Sequence, residues 1–290
     1  MDYRERIKFY LGEQFTQESF EVNIKMLNKN MLTPKKHDEG FNENYIYPLK
    51  LLIHKTHHSE KEFAYILGDV TGYTAPEELC KNRMAGCTDG VILRCLNCTR
   101  HWSLFYNKPK DIPFDQKKNI IFWRGTTTGQ LDRIGNRFDL VKRWFNKNKH
   151  IDVGFSSICQ NKDDFKNYVK GNCSPVDFLQ YKYIISVEGN DKDSGINWKL
   201  NSNSLILMPK PLVTSWLMET TLIPNHHYVL LKDDFSDLED KLNWCNNNQS
   251  KCKEIIKNAN EYMSQFKDNE REEILEKEVI SKYFDIVGKK

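Results

Sequence analysis

Short apolar segments alternate with segments of helical periodicity between residues 117 and 245. The clearest apolar segments each run into a polar turn: KKNIIFWRG (117–125), HIDVGFSS (150–157) and YKYIISVEGN (181–190). Apolar runs of this length predict buried strands, and strands that alternate with helices are typical of a parallel sheet covered on both faces. The sequence therefore predicts an α/β fold with a doubly wound sheet, in which ligands bind beyond the carboxyl ends of the strands.

The same periodicities predict the other elements. Strands are predicted in residues 61–69 and 226–234, and a helical turn followed by a buried strand in 198–211. Helices are predicted over residues 2–15, 17–28, 130–147, 163–171, 235–245, 250–267 and 269–286. Ser236 and Glu239 have the spacing of a capping box. The helix over 130–147 has Arg133 and Arg137 on its polar surface and an apolar face made of Ile134, Phe138, Val141 and Phe145.

Composition excludes several classes of protein. Hydrophobic residues make up 39% and charged residues 29% of the chain, which is typical of a water-soluble globular protein and not of a disordered or fibrous one. The net charge is only +3 and no long run of like charge occurs, so nucleic acid is not expected as a partner. Neither a signal peptide nor an apolar membrane span is evident. We expect a cytoplasmic protein, which a partner could bring to the inner face of a membrane.

The eight cysteines are expected to be reduced thiols, because no secretory signal accompanies them. Cys87, Cys95, Cys98 and His101 nevertheless have a spacing that zinc could use. The alternative is a set of buried thiols that follow the turn at residues 88–90.

The turn after the strand at 117–125 joins a guanidinium to three hydroxyls. Arg124 and Gly125 precede Thr126, Thr127 and Thr128, and a predicted helix follows. Backbone N–H groups at such a strand-to-helix turn suit a phosphate, and an arginine adds a bidentate cation. The turn is neither a P-loop nor a dinucleotide-binding glycine motif. A purely structural Arg-Gly turn remains the alternative.

The run GNDKDSGINWK (189–199) follows another predicted strand and admits more than one interpretation. Asp191 and Asp193 could hold a divalent metal on a nucleotide-sugar pyrophosphate. A calcium loop is excluded, because glycine falls at the fifth position and Ser202 stands where a bidentate glutamate is needed. A solvated turn is the alternative to a metal site.

Two longer segments resemble a known family. The stretch KYIISVEGNDKDSGINWKLNSNSLILMPKP, followed by SWLMETTLIPNHHYVLLKDDFSDLEDKLNW, closely resembles the family 90 glycosyltransferases, and FWRGTTTG is among the most specific matches. That family includes bacterial lipopolysaccharide-modifying enzymes, fungal capsule xylosyltransferases and animal protein O-glucosyltransferases. The resemblance runs from about Phe63 to Phe266 and is nearest to the bacterial-type branch.

The resemblance implies a GT-B architecture, in which two Rossmann-like domains face each other across a cleft and a helical C-terminus follows. Residues 1–114 would form the acceptor-side domain and residues 115–290 the nucleotide-sugar domain, with the last helix returning to the first domain. It also implies an inverting transfer that needs no metal and no cofactor. The donor would be UDP-glucose, UDP-galactose or UDP-xylose, and the acceptor a hydroxyl of a surface glycan such as lipopolysaccharide, capsule or a viral glycan.

The resemblance also assigns site residues. Asp69 matches the family's catalytic base. The donor diphosphate would be bound by Arg124, Gly125, Thr126, Thr127, Thr128 and Lys199. The donor ribose or sugar would contact Glu219, Asn190 and Asp191. Two other functions stay open: a metal-dependent GT-A transferase that uses Asp191 and Asp193, and a non-catalytic nucleotide- or glycan-binding protein.

Each assignment has a structural alternative. Asp69 could cap the turn before Thr71, Arg124 could pair with a structural carboxylate, and Glu219 could lie on a surface helix. Trp216 and Tyr228 are expected in the core.

Overall fold

The computed structural model of the protein describes residues 1–13, 39–59, 61, 63–97 and 101–287. These residues form two compact units. The first unit comprises the described parts of residues 1–99, 212–219 and 268–290, and the second those of residues 100–211 and 220–267. The division predicted from the sequence has a single boundary after residue 114, whereas the chain passes between these units at residues 99, 211, 219 and 267.

Strands and helices alternate along most of the described chain. The strands are β1 (Ala64–Tyr65), β2 (Glu78–Cys80), β3 (Asn82–Met84), β4 (Val91–Ile92), β5 (Lys118–Gly125), β6 (Ile151–Phe155), β7 (Tyr181–Ile185), β8 (Leu205–Met208), β9 (Val213–Ser215) and β10 (Val229–Leu230). The α-helices are α1 (Tyr3–Leu11), α2 (Glu39–Lys55), α3 (Ser103–Tyr106), α4 (Arg137–Trp144), α5 (Pro175–Phe178), α6 (Ile196–Leu200), α7 (Leu238–Asn247), α8 (Gln249–Ser264) and α9 (Asn269–Val287). Short 3-10 helices span Cys95–Asn97, Phe114–Gln116, Asp163–Tyr168 and Glu219–Thr221.

The second unit is built on a five-stranded parallel sheet in the order β10-β8-β7-β5-β6. The first of these strands along the chain, β5, therefore lies between the second, β6, and the third, β7. The predicted α/β fold with a parallel sheet is confirmed. The strand order reverses between β5 and β7, and ligands of doubly wound sheets bind at this switch point, beyond the carboxyl ends of the strands.

Apolar side chains cover both faces of this sheet, as predicted. On one face Trp123 of β5 joins a buried cluster with Phe138 of α4 and Leu238 of α7. On the other face Phe122 packs edge-on against Phe178 of α5, with ring centroids 5.0 Å apart. Neighbouring residues of a strand point to opposite faces, so the continuous apolar run in β5 is what a strand buried on both sides requires.

The first unit contains a three-stranded parallel sheet, β1-β2-β4, and the antiparallel pair β3-β9. Helices α1 and α9 pack together, and Arg6 donates to both carboxylate oxygens of Glu272 at 2.7 Å. Both side chains are buried, so each charge has its partner within the core. The indole of Trp216 stacks on Tyr10, with centroids 3.8 Å apart, and donates to Glu272 at 2.6 Å.

Several predicted elements are shorter than the sequence pattern indicated. The helix expected over 130–147 is limited to α4, because Gly135 has a φ of +66° and Asn136 caps the helix through the N–H of Asp139. Ile134 is 59% exposed and its assignment to an apolar helix face was wrong. Among the described residues of the strand expected over 61–69, only 64–65 lie in a sheet, and the N-terminal helix ends at Leu11. The helix expected over 17–28 lies outside the described residues.

Two further corrections concern helix type and capping. Residues 163–168 form a 3-10 helix where an α-helix was expected over 163–171. Ser236 does not cap α7, because the N-cap position belongs to Asp237, whose carboxylate accepts the N–H of Lys232.

No helix among the described residues is both long and apolar enough to cross a membrane. Cys98 of the suggested zinc set lies outside the described residues, whereas Cys87 and Cys95 form no disulfide within the described part of the chain. Within the part of the chain that the structure describes, no three His, Cys, Asp or Glu side chains are grouped so as to hold a metal ion.

Candidate active site

Two loops meet at the switch point of the five-stranded sheet: residues 126–136 after β5 and residues 186–195 after β7. Gly129 donates its N–H to Oδ1 of Asn190 at 2.9 Å, and Gln160 donates to the same oxygen at 3.1 Å. A Cβ atom at Gly189 would lie 2.8 Å from Oγ1 of Thr128, so only glycine permits this approach. The turn predicted to bind the donor diphosphate therefore lies next to the loop that holds Asn190, which is predicted to contact the donor sugar or ribose.

Arg137, the first residue of α4, binds both loops at once. Its Nη1 donates to the carbonyl of Thr126 at 3.0 Å and to Oγ1 of Thr128 at 2.6 Å. Its Nε and Nη2 donate to the carbonyls of Glu188 at 3.0 Å and Val187 at 3.2 Å. The guanidinium is buried. A cation at a helix N-terminus opposes the helix dipole, so these contacts must outweigh an unfavourable position.

Arg133 extends the same connection. It forms an ion pair with Glu188 and donates to the carbonyl of Asn190 at 3.2 Å. The sequence pattern placed Arg133 and Arg137 away from the apolar helix face and assigned them no partner; in the structure each binds the loop after β7.

The three threonines of the turn have different environments. Thr127 is fully buried, and its hydroxyl donates to the carbonyl of Cys159 at 2.8 Å and accepts the N–H of Cys159 at 2.7 Å. Thr126 and Thr128 are half-buried, with their hydroxyl oxygens 3.4 Å apart. Thr127 therefore fixes the shape of the turn, while Thr126 and Thr128 lie at its more open surface.

Arg124 is held by a carboxylate. Its Nη2 donates to both oxygens of Asp152 at 2.8 and 2.9 Å, and its guanidinium lies 4.6 Å from the ring centroid of Phe122. Lys170 donates to the same carboxylate at 2.7 Å. Burial alone would raise the pKa of Asp152, but the bonds from Lys170 and Arg124 outweigh burial and lower it. These contacts agree with the structural alternative, and a diphosphate would have to compete with Asp152.

Lys199 is likewise paired, with its Nζ 2.5 Å from Oδ2 of Asp193. That carboxylate also accepts from Oγ of Ser186 at 2.7 Å and from the N–H of Gly195 at 2.8 Å. Burial would raise the pKa of Asp193, but the charge of Lys199 and these hydrogen bonds lower it. Protein donors therefore occupy the carboxylate that the metal interpretation requires.

Asp69 lies in the first unit, in the loop that follows β1. Lys81 donates to its Oδ1 at 2.5 Å. The lysine side chain is 1% exposed, whereas that of Asp69 is 26% exposed. The neighbouring Val70 is held on both sides by Asn82, which accepts its N–H at 3.3 Å and donates to its carbonyl at 2.9 Å. The loop thus presents a partly exposed carboxylate on a fixed backbone.

Glu219 also belongs to the first unit and is buried. Its two oxygens accept the N–H of Ser215 at 2.6 Å and the hydroxyl of Ser215 at 2.8 Å. The intervening Met218 has a φ of +59°, a strained conformation for this residue type. The surface-helix alternative for Glu219 was wrong, and Trp216 and Tyr228 are core residues as predicted.

His226 and His227 lie close to Tyr262 of α8. Nδ1 of His227 accepts the N–H of Ile223 at 2.8 Å, and the ring lies 5.1 Å from that of Tyr262. Burial, and to a smaller extent the charge of His226, lower the pKa of His227 to about 4. His227 is therefore neutral near pH 7, which fits a packing role.

Sequence reasoning missed Arg137 and Lys81 as residues of these sites. For Arg137 no signal was available, because the predicted helix began at residue 130, and the first-turn position of Arg137, which disfavours a cation, follows only from the observed helix start. For Lys81, whose flanking strands were not predicted, the need for an anion follows only from its burial in the structure.

The predicted site residues are divided between the units. The second unit holds the turn at 124–128 together with Asn190, Asp191 and Lys199, whereas the first unit holds Asp69 and Glu219.

Comparison with known proteins decides the family. The model of glycosyl transferase family 90 matches residues 99–284. The chain belongs to this family and is a glycosyltransferase. It is 36% identical over 245 residues to O-glucosyltransferase LpsA of Dichelobacter nodosus. The aligned segment covers 84% of this chain and 73% of that protein.

More distant relatives match shorter segments. Protein O-glucosyltransferase 2 of Danio rerio is 26% identical over 144 residues, 49% of this chain and 28% of that protein. Uncharacterized protein 179R of Invertebrate iridescent virus 6 is 35% identical over 92 residues, 30% of this chain and 8% of that protein.

Proposed function

We propose that this family 90 glycosyltransferase transfers a hexose or pentose from a UDP-sugar to a hydroxyl of a surface glycan, with inversion and without a metal or other cofactor. UDP-glucose is the first donor to test, since two of the relatives are named O-glucosyltransferases. UDP-galactose and UDP-xylose are the alternatives. Lipopolysaccharide, capsule and viral glycans are the acceptor classes, and the site of action is the cytoplasm or the inner face of a membrane.

The observation that carries the donor-site proposal is the junction of two loops at the switch point of the five-stranded sheet. Arg137 holds the turn at Thr126 and Thr128 against the carbonyls of Val187 and Glu188. A strand-to-helix turn with N–H groups and hydroxyls suits a diphosphate, and doubly wound sheets bind nucleotides at this position. In the proposal, Asn190 and Asp191 contact the donor sugar or ribose.

Arg124 and Lys199 remain the proposed diphosphate cations. Each is bonded to a carboxylate, Asp152 or Asp193. Donor binding would therefore exchange or share these partners. As the bond to UDP breaks, negative charge grows on the leaving diphosphate, and cations with fixed positions stabilise that charge.

Asp69 is the proposed general base. In an inverting transfer the acceptor oxygen attacks the anomeric carbon from the face opposite UDP, while a carboxylate takes the proton of the acceptor hydroxyl. The bond from the anomeric carbon to the diphosphate oxygen breaks as the new glycosidic bond forms. The 26% exposure of the Asp69 side chain supports this role, because a base must be accessible to the acceptor.

Metal independence is supported by the contacts of Asp193. Lys199, Ser186 and Gly195 donate to its carboxylate, so a metal would have to displace a buried ammonium. The proposed GT-B arrangement is supported by the parallel sheet in each unit, three-stranded in the first and five-stranded in the second.

The test is UDP release from each candidate UDP-sugar, with and without acceptor glycans, in the presence of EDTA, with the anomeric configuration of the product read by NMR. Turnover that survives EDTA, inverts the anomer and is lost in Asp69→Asn supports the proposal. Asp115→Asn is the matched control, since Asp115 forms an exposed pair with Lys253. Activity that requires Mn²⁺ and tolerates Asp69→Asn would favour the GT-A alternative, and donor binding without turnover would favour a binding protein.

The role of Arg124 is tested separately with Arg124→Ala and Asp152→Asn. If Arg124 binds the diphosphate, Arg124→Ala weakens donor binding while Asp152→Asn, which releases the guanidinium, does not. Equal loss of stability in both variants with unchanged donor KM would leave Arg124 a purely structural role.

A further inference from the structure

We infer that Lys81 is a positioning residue for the reaction, which orients the carboxylate of Asp69 and keeps it ionised. This inference rests on the proposed function, in which Asp69 accepts the proton of the acceptor hydroxyl. It adds to that function a second residue, one that neither touches the substrate nor follows from the sequence motifs.

The burial of the pair is asymmetric. The Lys81 side chain is 1% exposed and that of Asp69 is 26% exposed, and Nζ lies 2.5 Å from Oδ1. An ammonium buried to this extent is stable only beside an anion. An ordinary surface ion pair would expose both ends. Here the lysine is buried and the carboxylate is partly exposed, so a buried charge holds a carboxylate that solvent still reaches.

Lys81 is held by the backbone on either side. It is the single residue between β2, which pairs with β1 and β4, and β3, which pairs with β9. The Asp69 loop is held by the same segment, because Asn82 bonds both backbone groups of Val70. Two consecutive residues therefore hold the proposed base: Lys81 bonds the carboxylate of Asp69, and Asn82 bonds the backbone of the next residue, Val70.

The chemistry of the step requires both effects. A general base acts only when it is ionised, and it accelerates proton transfer only when an oxygen is aimed at the acceptor hydroxyl. The charge of Lys81 favours the carboxylate over the acid, and its bond to Oδ1 restricts rotation of the carboxyl group. The phenol of Tyr45 faces the pair from α2, with its ring centroid 5.8 Å from Nζ.

The experiment measures kcat/KM against pH for wild type, Lys81→Met and Lys81→Arg. In Lys81→Met the acidic limb of the kcat/KM profile should move to higher pH by about one unit. An opposite charge at this distance lowers the pKa of a carboxyl group by about 1–3 units, and the variant removes that charge. At pH 6 kcat should fall about tenfold, because a base that is no longer oriented loses part of its contribution to the rate. The donor KM should stay within about twofold of the wild-type value. Lys81→Arg keeps the charge, so its acidic limb should stay at the wild-type pH while the altered geometry lowers kcat.

Lys117→Met is the matched control. Lys117 is also a fully buried lysine, paired with Asp111 in the second unit. It immediately precedes β5, at the end of the strand opposite to the turn at 124–128. The variant reports the general effect of deleting a buried ammonium. We expect lower thermal stability in Lys117→Met with the acidic limb unchanged.

The outcomes distinguish a failure of the inference from a failure of the proposed function. If Asp69→Asn retains activity, the proposed base is wrong and the role of Lys81 fails with it. If Asp69→Asn is inactive but Lys81→Met keeps the wild-type limb and kcat, the inference alone is overturned. Should Lys81→Met not fold, Lys81→Arg decides: reduced kcat with an unmoved limb supports positioning, and wild-type kcat overturns it.

Discussion

Two lysine–aspartate pairs, one in each unit, have the same composition and different surroundings. In both, Nζ lies 2.5 Å from a carboxylate oxygen, and in both the lysine is buried. The Asp193 side chain is 10% exposed and accepts two further hydrogen bonds from Ser186 and Gly195, whereas that of Asp69 is 26% exposed. The two pairs therefore share the bond between lysine and carboxylate and differ in access to the carboxylate, and the proposed general base is the more exposed of the two.

The largest effect is expected for Asp69→Asn. Loss of a general base should lower kcat of the folded fraction about 10²- to 10⁴-fold. The free energy of unfolding should also fall, because the buried Lys81 then keeps a neutral amide oxygen as acceptor but loses its anion. Steady-state kinetics and urea unfolding on the same preparation measure both. A large loss of stability with normal activity per folded molecule would remove the difference between the two pairs.

Asp193→Asn should lower stability and leave the rate nearly unchanged. Breaking a buried pair should lower the free energy of unfolding by about 3 kcal/mol at pH 7, with kcat of the folded fraction within about threefold of wild type. The pKa of Asp193 is lowered from its ordinary 3.8 in the folded state. The contribution of its charge is thus present above that value and is lost as the pH falls through the lowered pKa, so wild type and variant should converge on acidification. Urea unfolding at pH 7 and at successively lower pH, beginning below the ordinary pKa of aspartate, measures this convergence.

Arg137→Lys should have an intermediate effect on donor binding. The single ammonium of lysine cannot donate to both loops as the planar guanidinium does, so the turn at Thr126 and Thr128 would separate from the loop after β7. We expect donor KM to rise about tenfold, which corresponds to about 1.4 kcal/mol. Arg143→Lys on the same helix is the control, because its pair with Asp234 is exposed. Equal KM values in the two variants would contradict a role for the loop junction in donor binding.

The smallest effect is expected from chelation. Since Lys199 occupies the Asp193 carboxylate, EDTA should leave the rate of UDP release unchanged. The rate is measured with and without EDTA, and then with added Mn²⁺. A rate that falls on chelation and recovers with Mn²⁺ would mean that the Asp193 pair opens during the reaction, and the comparison of the two pairs would need to be reversed.

The sequence was sufficient to predict the parts of the molecule that depend on local pattern. The strands β5, β6, β7 and β8 and the helices α8 and α9 follow from apolar periodicity and length, and with them the parallel sheet. The place of the turn after β5 also follows, because ligand sites in such sheets lie at strand ends.

Other features depend on contacts that are distant along the chain. Ile134 fits a helical stripe, yet Gly135 and Asn136 start the helix after it. Arg124 pairs with Asp152, 28 residues away, and Lys81 with Asp69, 12 residues away. Periodicity carries no information about such pairs, so the roles of Arg137 and Lys81 could be found only from the folded structure.

The pairing of residues far apart in sequence has a consequence for synthesis on the ribosome. Arg6 and Glu272, which join α1 to α9, are separated by 266 residues, and β3 pairs with β9 from residues 213–215. The first unit can therefore become complete only after α9 has been translated, although most domains fold from the N-terminus onward. The half that carries the proposed base would be finished last, after the half that would hold the donor.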